Sequence, residues 1–350
     1  MNIKSLLLGS AAALAAVSGA QAADAIIAAE PEPMEYVRVC DAFGTGYFYI
    51  PGTETCLKIG GYVRFDVGGG ELLGLDTNGA EGFDGDEWNT FSRFSLQVST
   101  ASDTELGALK TYVEARINYG NFVDGDGRFT GASGSATTLN FAYIDLAGFR
   151  VGKTESAFLT FSGYFGNVIN DDLITPAGPY DTHVIQYNYD SGTGFTGVVS
   201  LEDFPDSNND YIPNVVGAVG YAGGMFAASL TGGFDSSREE GAIKARLDGN
   251  FGGFSAFVMG AWSTNTRGND YATWGGDWAV WGGVSAPLTE TITLNGQLAY
   301  DDSEQFAANL NAAFTVVPGF TITPEVAYYD DGAPGDGDAW GGMVRFQRSF

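Results

Sequence analysis

Hydrophobic and polar residues alternate along most of the chain in runs of about ten residues, the period of a β-strand with two different faces. Residues 306–316 place Phe, Ala, Leu and Val on one face and Asn309, Asn311 and Thr315 on the other. Segments 58–67 and 291–300 divide in the same way. The pattern predicts strands near 57–67, 89–101, 108–119, 137–146, 149–153, 183–189, 195–201, 214–221, 225–233, 242–251, 254–263, 277–285, 291–300, 305–316, 320–328 and 340–350.

The connections between these strands alternate in length. Tight turns are predicted at Ser102–Thr104, Gly148, Ser191–Thr193, Gly223–Gly224, Gly252–Gly253, Pro287–Leu288 and Pro318–Gly319. Longer loops are predicted near 68–88, 120–136, 154–182, 202–213, 234–241, 264–276, 301–304 and 329–339. About sixteen strands, with short turns at one rim and long loops at the other, are typical of an all-β transmembrane antiparallel β-barrel.

One apolar and one polar face also fit a soluble antiparallel sandwich. Three observations favour the barrel. The strands are too many for one sandwich, their polar faces carry arginines and amides rather than mixed charges, and aromatic residues lie near strand ends, where a membrane interface holds them. These aromatic residues are Phe149, Tyr187, Tyr189, Tyr300, Tyr328 and Phe350.

The first 22 residues fit a secretory signal peptide. Lys4 supplies a positive charge, residues 6–17 form an apolar run, and residues 20–22 read Ala-Gln-Ala. The apolar run is shorter than the roughly 20 residues that a transmembrane helix needs. We therefore expect export with cleavage after residue 22, an N-terminal segment over 23–56 on the periplasmic side, and the barrel over 57–350.

Charged residues are few, and most of them are acidic. The 350 residues include 43 Asp and Glu against 16 Lys and Arg, a formal net charge of -27. Such a polyanion repels nucleic acid, so that class of partner is excluded. Most of the acids fall in the long loops, whereas most of the bases fall within strands. We therefore expect an electronegative outer mouth and a preference for cations.

Cys40 and Cys56 are the only cysteines, and in an exported chain an isolated pair most often forms a disulfide. We expect this bond to attach the N-terminal segment to the periplasmic rim. The only histidine is His183 and no Cys-X-X-Cys occurs, so the sequence does not indicate a metal site.

Two sequence motifs resemble known ligand-binding motifs, but neither is sufficient to predict a binding site. Residues 147–154 match a relaxed P-loop, but the residues that follow are predicted to form an aromatic, Gly-rich loop with Pro176 and Pro179, where the motif needs a helix to hold phosphate. Asp-Gly-Asp recurs at 84–86, 124–126 and 336–338, where loose binding of divalent cations is one interpretation and solubilising turns are the other. Hydrolase motifs are absent, so we expect neither an enzyme nor a cofactor.

Residues 31–64 read PEPMEYVRVCDAFGTGYFYIPGTETCLKIGGYVR. This stretch closely resembles the start of mature general porins of alphaproteobacteria, of the rhizobial and brucella type, and the similarity in organisation extends to Phe350. The resemblance implies a 16-stranded outer-membrane barrel that forms passive pores for small hydrophilic solutes. It also implies a homotrimer in contact with lipid and lipopolysaccharide, and a third long loop that folds into the lumen.

The third long loop, 154–182, is the longest predicted connection and contains no Lys or Arg. Its acidic residues are Glu155, Asp171, Asp172 and Asp181. The inward phases of the first three strands and the last strand carry Arg64, Arg93, Arg116 and Arg345. We expect these arginines to form a basic wall that faces the acidic loop across water and sets up a transverse field. The alternative is that they only pair with luminal carboxylates such as Asp66 and Glu114.

Two other functions stay open at this point. One is a substrate-specific channel for sugars or anions, which an aromatic track inside the barrel would indicate. The other is a secreted β-rich adhesin without a channel.

Overall fold

The computed structural model describes residues 38–70, 88–120, 134–204, 211–264, 269–333 and 338–350. The chain divides into two units, Met1–Arg38 and Val39–Phe350, and Arg38 alone of the first falls in the described part. The expected signal peptide therefore lies outside the described residues, as do the Asp-Gly-Asp segments at 84–86 and 124–126 and most of the one at 336–338. In the described ranges, no helix is long and apolar enough to cross a membrane.

The second unit is built almost entirely of strands. They are β1 (Phe48–Tyr49), β2 (Cys56–Gly70), β3 (Trp88–Thr104), β4 (Gly107–Gly120), β5 (Gly134–Leu146), β6 (Phe149–Thr154), β7 (Thr182–Asp190), β8 (Phe195–Asp203), β9 (Asn214–Gly223), β10 (Phe226–Asp235), β11 (Glu240–Asn250), β12 (Ser255–Ser263), β13 (Trp278–Pro287), β14 (Ile292–Asp301), β15 (Phe306–Val317), β16 (Phe320–Asp330) and β17 (Asp338–Ser349). A 3₁₀ turn covers Asp41–Phe43, and a short helix, called α1 here, covers Ala157–Thr160.

Strands β2 to β17 form a closed barrel. Each strand pairs antiparallel with its neighbours in the chain, and β17 pairs with β2, with Val344 opposite Val67. Closure leaves no free edge among these strands, so their backbone groups are satisfied without water, as a membrane requires. The barrel therefore has sixteen strands, and the predicted fold class is confirmed.

All sixteen predicted strands are present, with ends displaced by a few residues. The turn expected at Ser102–Thr104 is wrong, because these residues end β3 and the turn lies at Glu105–Leu106. The Thr104 hydroxyl accepts a hydrogen bond from the Leu106 amide and donates one to the Gly107 carbonyl, which closes the turn later than the Ser-Asp pattern suggests. Gly107 supplies the positive φ of 108° that this turn needs.

The two faces of the wall differ as the alternation predicts. On β15 the outward Leu310 is 50% exposed, whereas the inward Asn309 and Asn311 are buried. On β2 the outward Ile59 and Val63 are likewise exposed. A surface of exposed apolar side chains around a closed barrel is suited to contact with lipid rather than water.

The interior of the barrel is partly filled by the connection between β6 and β7, called here the lumen loop (residues 155–181). It begins with α1, and its Phe158, Leu159 and Phe165 are buried. These side chains belong to one apolar cluster with the wall residues Met259 and Trp281. The third long loop therefore folds into the lumen, as expected.

Cys40 and Cys56 form the expected disulfide, with their Cα atoms 6.0 Å apart and both residues buried. The Cys40 amide donates to the Tyr47 carbonyl, and β1 pairs with the start of β2 through Phe48 and Leu57. The bond therefore attaches the segment that precedes β2 to the short-turn rim of the barrel.

We predict that this disulfide contributes about 3 kcal/mol to stability, because it closes a loop of ordinary length and restricts the unfolded chain. The protein, unfolded without reductant, should bind no thiol reagent, and reduction should release two reactive thiols. Labelling of two thiols before reduction contradicts the bond. The Cys40→Ser/Cys56→Ser variant serves as the blank for both measurements.

Candidate pore constriction

The start of the lumen loop is held by a buried carboxylate of β8. Glu202 accepts hydrogen bonds from the Ser156 hydroxyl at 2.7 Å, the Ala157 amide at 2.9 Å and the Tyr271 hydroxyl at 3.1 Å. The Ser156 hydroxyl in turn accepts from the Phe158 amide and caps α1. The short helix is thereby bound to the wall at its first turn.

The middle of the loop is held by a second buried carboxylate, on β16. Glu325 accepts from the amides of Ile169 and Asn170 and from the Asn170 side chain, the latter at 2.9 Å. The neighbouring strand β15 adds Asn311, which donates to Glu325 at 2.8 Å, and Asn309, which donates to the Asn170 carbonyl at 2.9 Å. Hydrogen bonds to an ionised group are stronger than neutral ones, so this is a firm attachment.

The returning half of the loop is held by β11 and β13. Lys244 is almost completely buried, donates to the Pro176 carbonyl at 3.0 Å, and lies 4.6 Å from the centre of the Phe158 ring. The Trp281 indole donates to the Ile174 carbonyl at 2.7 Å. The loop is therefore fixed at several points along its length rather than at its ends alone.

A further β11 residue contacts the outgoing half. The Arg246 guanidinium pairs with Asp248 at 2.7 Å, donates to the Tyr164 carbonyl, and stacks 4.1 Å from the centre of the Phe257 ring. On β14 the Gln297 side chain donates to the Asp171 carbonyl at 3.1 Å. These hydrogen bonds together anchor the loop to β8, β11 and β13–β16. The four predicted arginines are on the remaining part of the wall, on β17 and β2–β4.

Two of those arginines are paired. Arg345 forms two hydrogen bonds of 2.9 Å with Asp66, and Arg116 contacts Glu114 at 2.6 Å. Both carboxylates are buried under their partners. For Arg345 and Arg116, the structure therefore shows the ion pairs with luminal carboxylates that the alternative interpretation predicts.

The other two arginines are different. Arg64 and Arg93 lie directly opposite each other on β2 and β3. Arg93 donates to the Asn118 side chain at 2.7 Å, and Arg64 donates to Gln347 and to the Tyr62 hydroxyl at 3.4 Å. Among the residues described, neither of them forms an ion pair with a carboxylate. Their two positive charges are therefore not neutralised by contact.

The acids of the lumen loop are in two environments. Burial, together with the neighbouring charge of Asp172, raises the pKa of Asp171 well above its ordinary value, and the charge of Arg345 opposes this rise. Burial also raises the pKa of Glu155, while its contact with the Tyr164 hydroxyl and the charge of Arg116 lower it. Asp171 and Glu155 are thus within electrostatic range of the basic wall.

Asp181 is placed elsewhere. It is exposed at the end of the loop and forms an ion pair with Lys153 of β6. Asp172 is also exposed. Arg345 acts on the pKa of Asp171, and Arg116 acts on the pKa of Glu155.

The sequence interpretation missed the residues that hold the loop, namely Glu202, Lys244, Arg246 and Glu325. A signal was present, because each is a charged residue on the inward phase of an alternating strand. Nothing in the alternation, however, separates an inward charge that lines the pore from one that anchors a loop. In the ranges that the structure describes, no three His, Cys, Asp or Glu side chains are arranged to hold a metal ion.

Comparisons with known proteins agree with this geometry. Residues 24–341 match the model of the porin subfamily. Porin Omp2b of Brucella neotomae is 51% identical over 371 residues, and porin Omp2b of Brucella abortus strain 2308 is 50% identical; each alignment covers all of both chains.

Solved structures share the fold at low sequence identity. The outer membrane channel DcaP of Acinetobacter baumannii is 16% identical, with a TM-score of 0.66 over 86% of this chain and 99% of its own. A triple mutant of Rhodopseudomonas blastica porin is 14% identical, with a TM-score of 0.57 over 84% of this chain and all of its own.

The family match and the whole-length identity to porins settle the class of protein that the closed barrel, the apolar outer face and the lumen loop indicate. Membership of the porins implies a channel rather than an enzyme. The secreted adhesin is no longer required to explain the sequence. The chain belongs to the porin subfamily and is a multi-pass β-barrel channel of the outer membrane.

Proposed function

We propose that this porin is a passive, cation-preferring channel whose selectivity is set between the lumen loop and the basic wall. The observation that carries the proposal is the placement of charge. The loop with Glu155, Asp171 and Asp172 is anchored to β8, β11 and β13–β16, while Arg64 and Arg93 project from β2 and β3. Solutes then pass through a field directed across the pore, which orients dipoles and discriminates by charge and size.

Each part has a distinct role in this mechanism. Arg345 and Arg116 are largely neutralised by Asp66 and Glu114, so they stiffen the wall and leave Arg64 and Arg93 to supply its positive charge. The overall charge of -27 raises the local concentration of cations at the mouth. The fixed loop holds the opposing charges in place, so the field requires no movement when a solute enters.

The reversal potential in a KCl gradient across a planar bilayer tests the proposal. At low salt we expect a clear preference for K⁺. The preference should weaken as the Debye length falls from about 30 Å at 0.01 M to about 3 Å at 1 M. A preference for Cl⁻ at low salt contradicts the proposal, and a preference that does not change with salt excludes fixed surface charge as its cause.

The cation preference should also depend on pH. Because burial and Asp172 raise the pKa of Asp171 well above 3.8, Asp171 takes up a proton while ordinary aspartates are still ionised. Acidification from neutral pH therefore removes negative charge from the loop, and the preference for K⁺ should begin to fall well above pH 3.8. The Asp171→Asn variant is the control, since its profile should lack this early phase. A wild-type profile that matches the variant contradicts the assignment.

We also propose that the protein assembles as a homotrimer, that residues 1–22 are removed on export, and that residues 23–56 form a periplasmic segment ahead of the barrel. The trimer is supported by the resemblance to alphaproteobacterial general porins. The leader is supported by Lys4 and the apolar run that follows it. The position of the segment is supported by the Cys40–Cys56 bond at the start of β2.

A further inference from the structure

Three aromatic rings face the lumen side by side on β4 and β5, and they are called here the aromatic strip (Tyr112, Phe141 and Tyr143). Tyr112 lies directly opposite Tyr143 in the register, with ring centres 5.6 Å apart. The centre of the Phe141 ring is 5.8 Å from that of Tyr112. All three residues are partly exposed. The rings therefore form one continuous aromatic surface on the wall.

Polar groups border this surface on both sides. Toward the outer end, Glu114 accepts from the Tyr112 hydroxyl at 3.0 Å. Toward the short-turn rim, the Arg150 guanidinium lies 3.9 Å from the centre of the Tyr143 ring and is held by Asp145 through hydrogen bonds of 2.7 and 2.8 Å. Flat rings bordered by fixed donors and acceptors are the usual composition of a small-molecule site.

The strip lies on the path that solutes take. On β4, Tyr112 is four residues nearer the short-turn rim than Arg116 of the basic wall, about 13 Å along the strand. A solute that enters from the long-loop rim and crosses the constriction therefore reaches the strip next. None of the anchors of the lumen loop described above comes from β4 or β5, so the loop does not account for the rings.

The partial exposure of the three rings of the aromatic strip to the lumen requires an explanation. Elsewhere on the inward face, apolar residues such as Met259 and Trp281 are buried in one cluster with the lumen loop. Partly exposed aromatic surface in a water-filled lumen is unfavourable, and clusters of this kind mark binding surfaces. The hydroxyls of Tyr112 and Tyr143, with the charges beside them, suit a ligand that has both an apolar face and many hydroxyl groups.

We propose that the aromatic strip is a weak binding site for pyranose sugars in short oligosaccharides. Pyranose rings lay their C–H faces on Tyr112, Phe141 and Tyr143, while their hydroxyls hydrogen-bond to Asp145 and Arg150. Binding stays weak, because a channel must release what it binds. The proposal rests on the proposed function only in requiring that the pore admits such solutes.

The test measures block of the KCl current by maltotriose to maltohexaose in planar bilayers. In about 1 M KCl, charge effects are screened to about 3 Å, so the readout does not depend on the cation preference. Maltohexaose should lower the conductance saturably, whereas polyethylene glycol of equal hydrodynamic radius should only reduce it in proportion to concentration. Tyr112→Leu/Phe141→Leu/Tyr143→Leu should raise the half-blocking concentration by about fivefold or more.

Tyr329→Leu removes an inward ring of β16 outside the strip and is the matched control. Its half-blocking concentration of maltohexaose should equal that of the wild type. If the triple variant does not assemble, the single variants Tyr112→Leu and Tyr143→Leu should each raise the half-blocking concentration, and Tyr143→Phe should retain block. The inference is overturned if maltohexaose blocks no more than polyethylene glycol, or if the leucine variants keep the wild-type value. Failure of the proposed function would instead appear in the reversal potential at low salt.

Discussion

Replacing Asp171 and Asp172 by Asn should lower the preference for K⁺ over Cl⁻, and replacing Arg64 and Arg93 by Gln should raise it. A unit charge about 10 Å from a permeating ion contributes about 0.4 kcal/mol in water, a factor of about two in the local ion ratio. Each double variant removes two charges, so we expect a change of about fourfold in the permeability ratio at low salt.

The opposite direction of the two changes is the informative result, because both pairs of substitutions remove charge from the same lumen. Glu290→Gln and Arg348→Gln are suitable controls. Glu290→Gln removes a negative charge and is the control for the aspartate pair, whereas Arg348→Gln removes a positive charge and is the control for the arginine pair. Both residues are exposed near the short-turn rim, and each control should leave the permeability ratio close to that of the wild type. If both double variants shift the ratio in one direction, or neither shifts it, the loop and the arginines do not form the selectivity site.

Replacing Glu325 by Ala should increase the conductance and weaken the selectivity. Glu325 accepts three hydrogen bonds from the lumen loop, at the Ile169 amide, the Asn170 amide and the Asn170 side chain. Hydrogen bonds to a charged group contribute about 1.5–3 kcal/mol each, so the loss is large for one loop. The barrel itself should persist, because the ladders β15–β16 and β16–β17 do not depend on this side chain.

Single-channel conductance of the variant measures this effect, and the unheated mobility of the folded barrel on a gel confirms assembly. We expect the conductance to approach that of a channel from which residues 162–170 are deleted. Glu325→Gln, which keeps an acceptor at the same place, should fall between Ala and the wild type. An assembled Glu325→Ala barrel with unchanged conductance would show that the other anchors alone hold the loop.

The sequence by itself determined the strands of the barrel, because alternation is a local property and each strand carries its own pattern. Residues 306–316 show which side chains face outward without reference to any partner. The Cys40–Cys56 bond was also predictable, since export and an isolated pair leave one pairing. The long acidic loop was recognisable from its length and its lack of basic residues.

The tertiary structure alone decided which charges are neutralised and which side chains hold the loop. Arg345 and Asp66 are at opposite ends of the barrel sequence and meet only because β17 closes on β2. Glu325 and Asn170 are likewise brought together by the fold. Alternation assigns a residue to a face, but its neighbour across the strands depends on register and closure, and a shift of one residue would change every such pair. For that reason the sequence places Arg64 and Arg345 on the same wall, and only the structure distinguishes the charge that is paired from the one that is not.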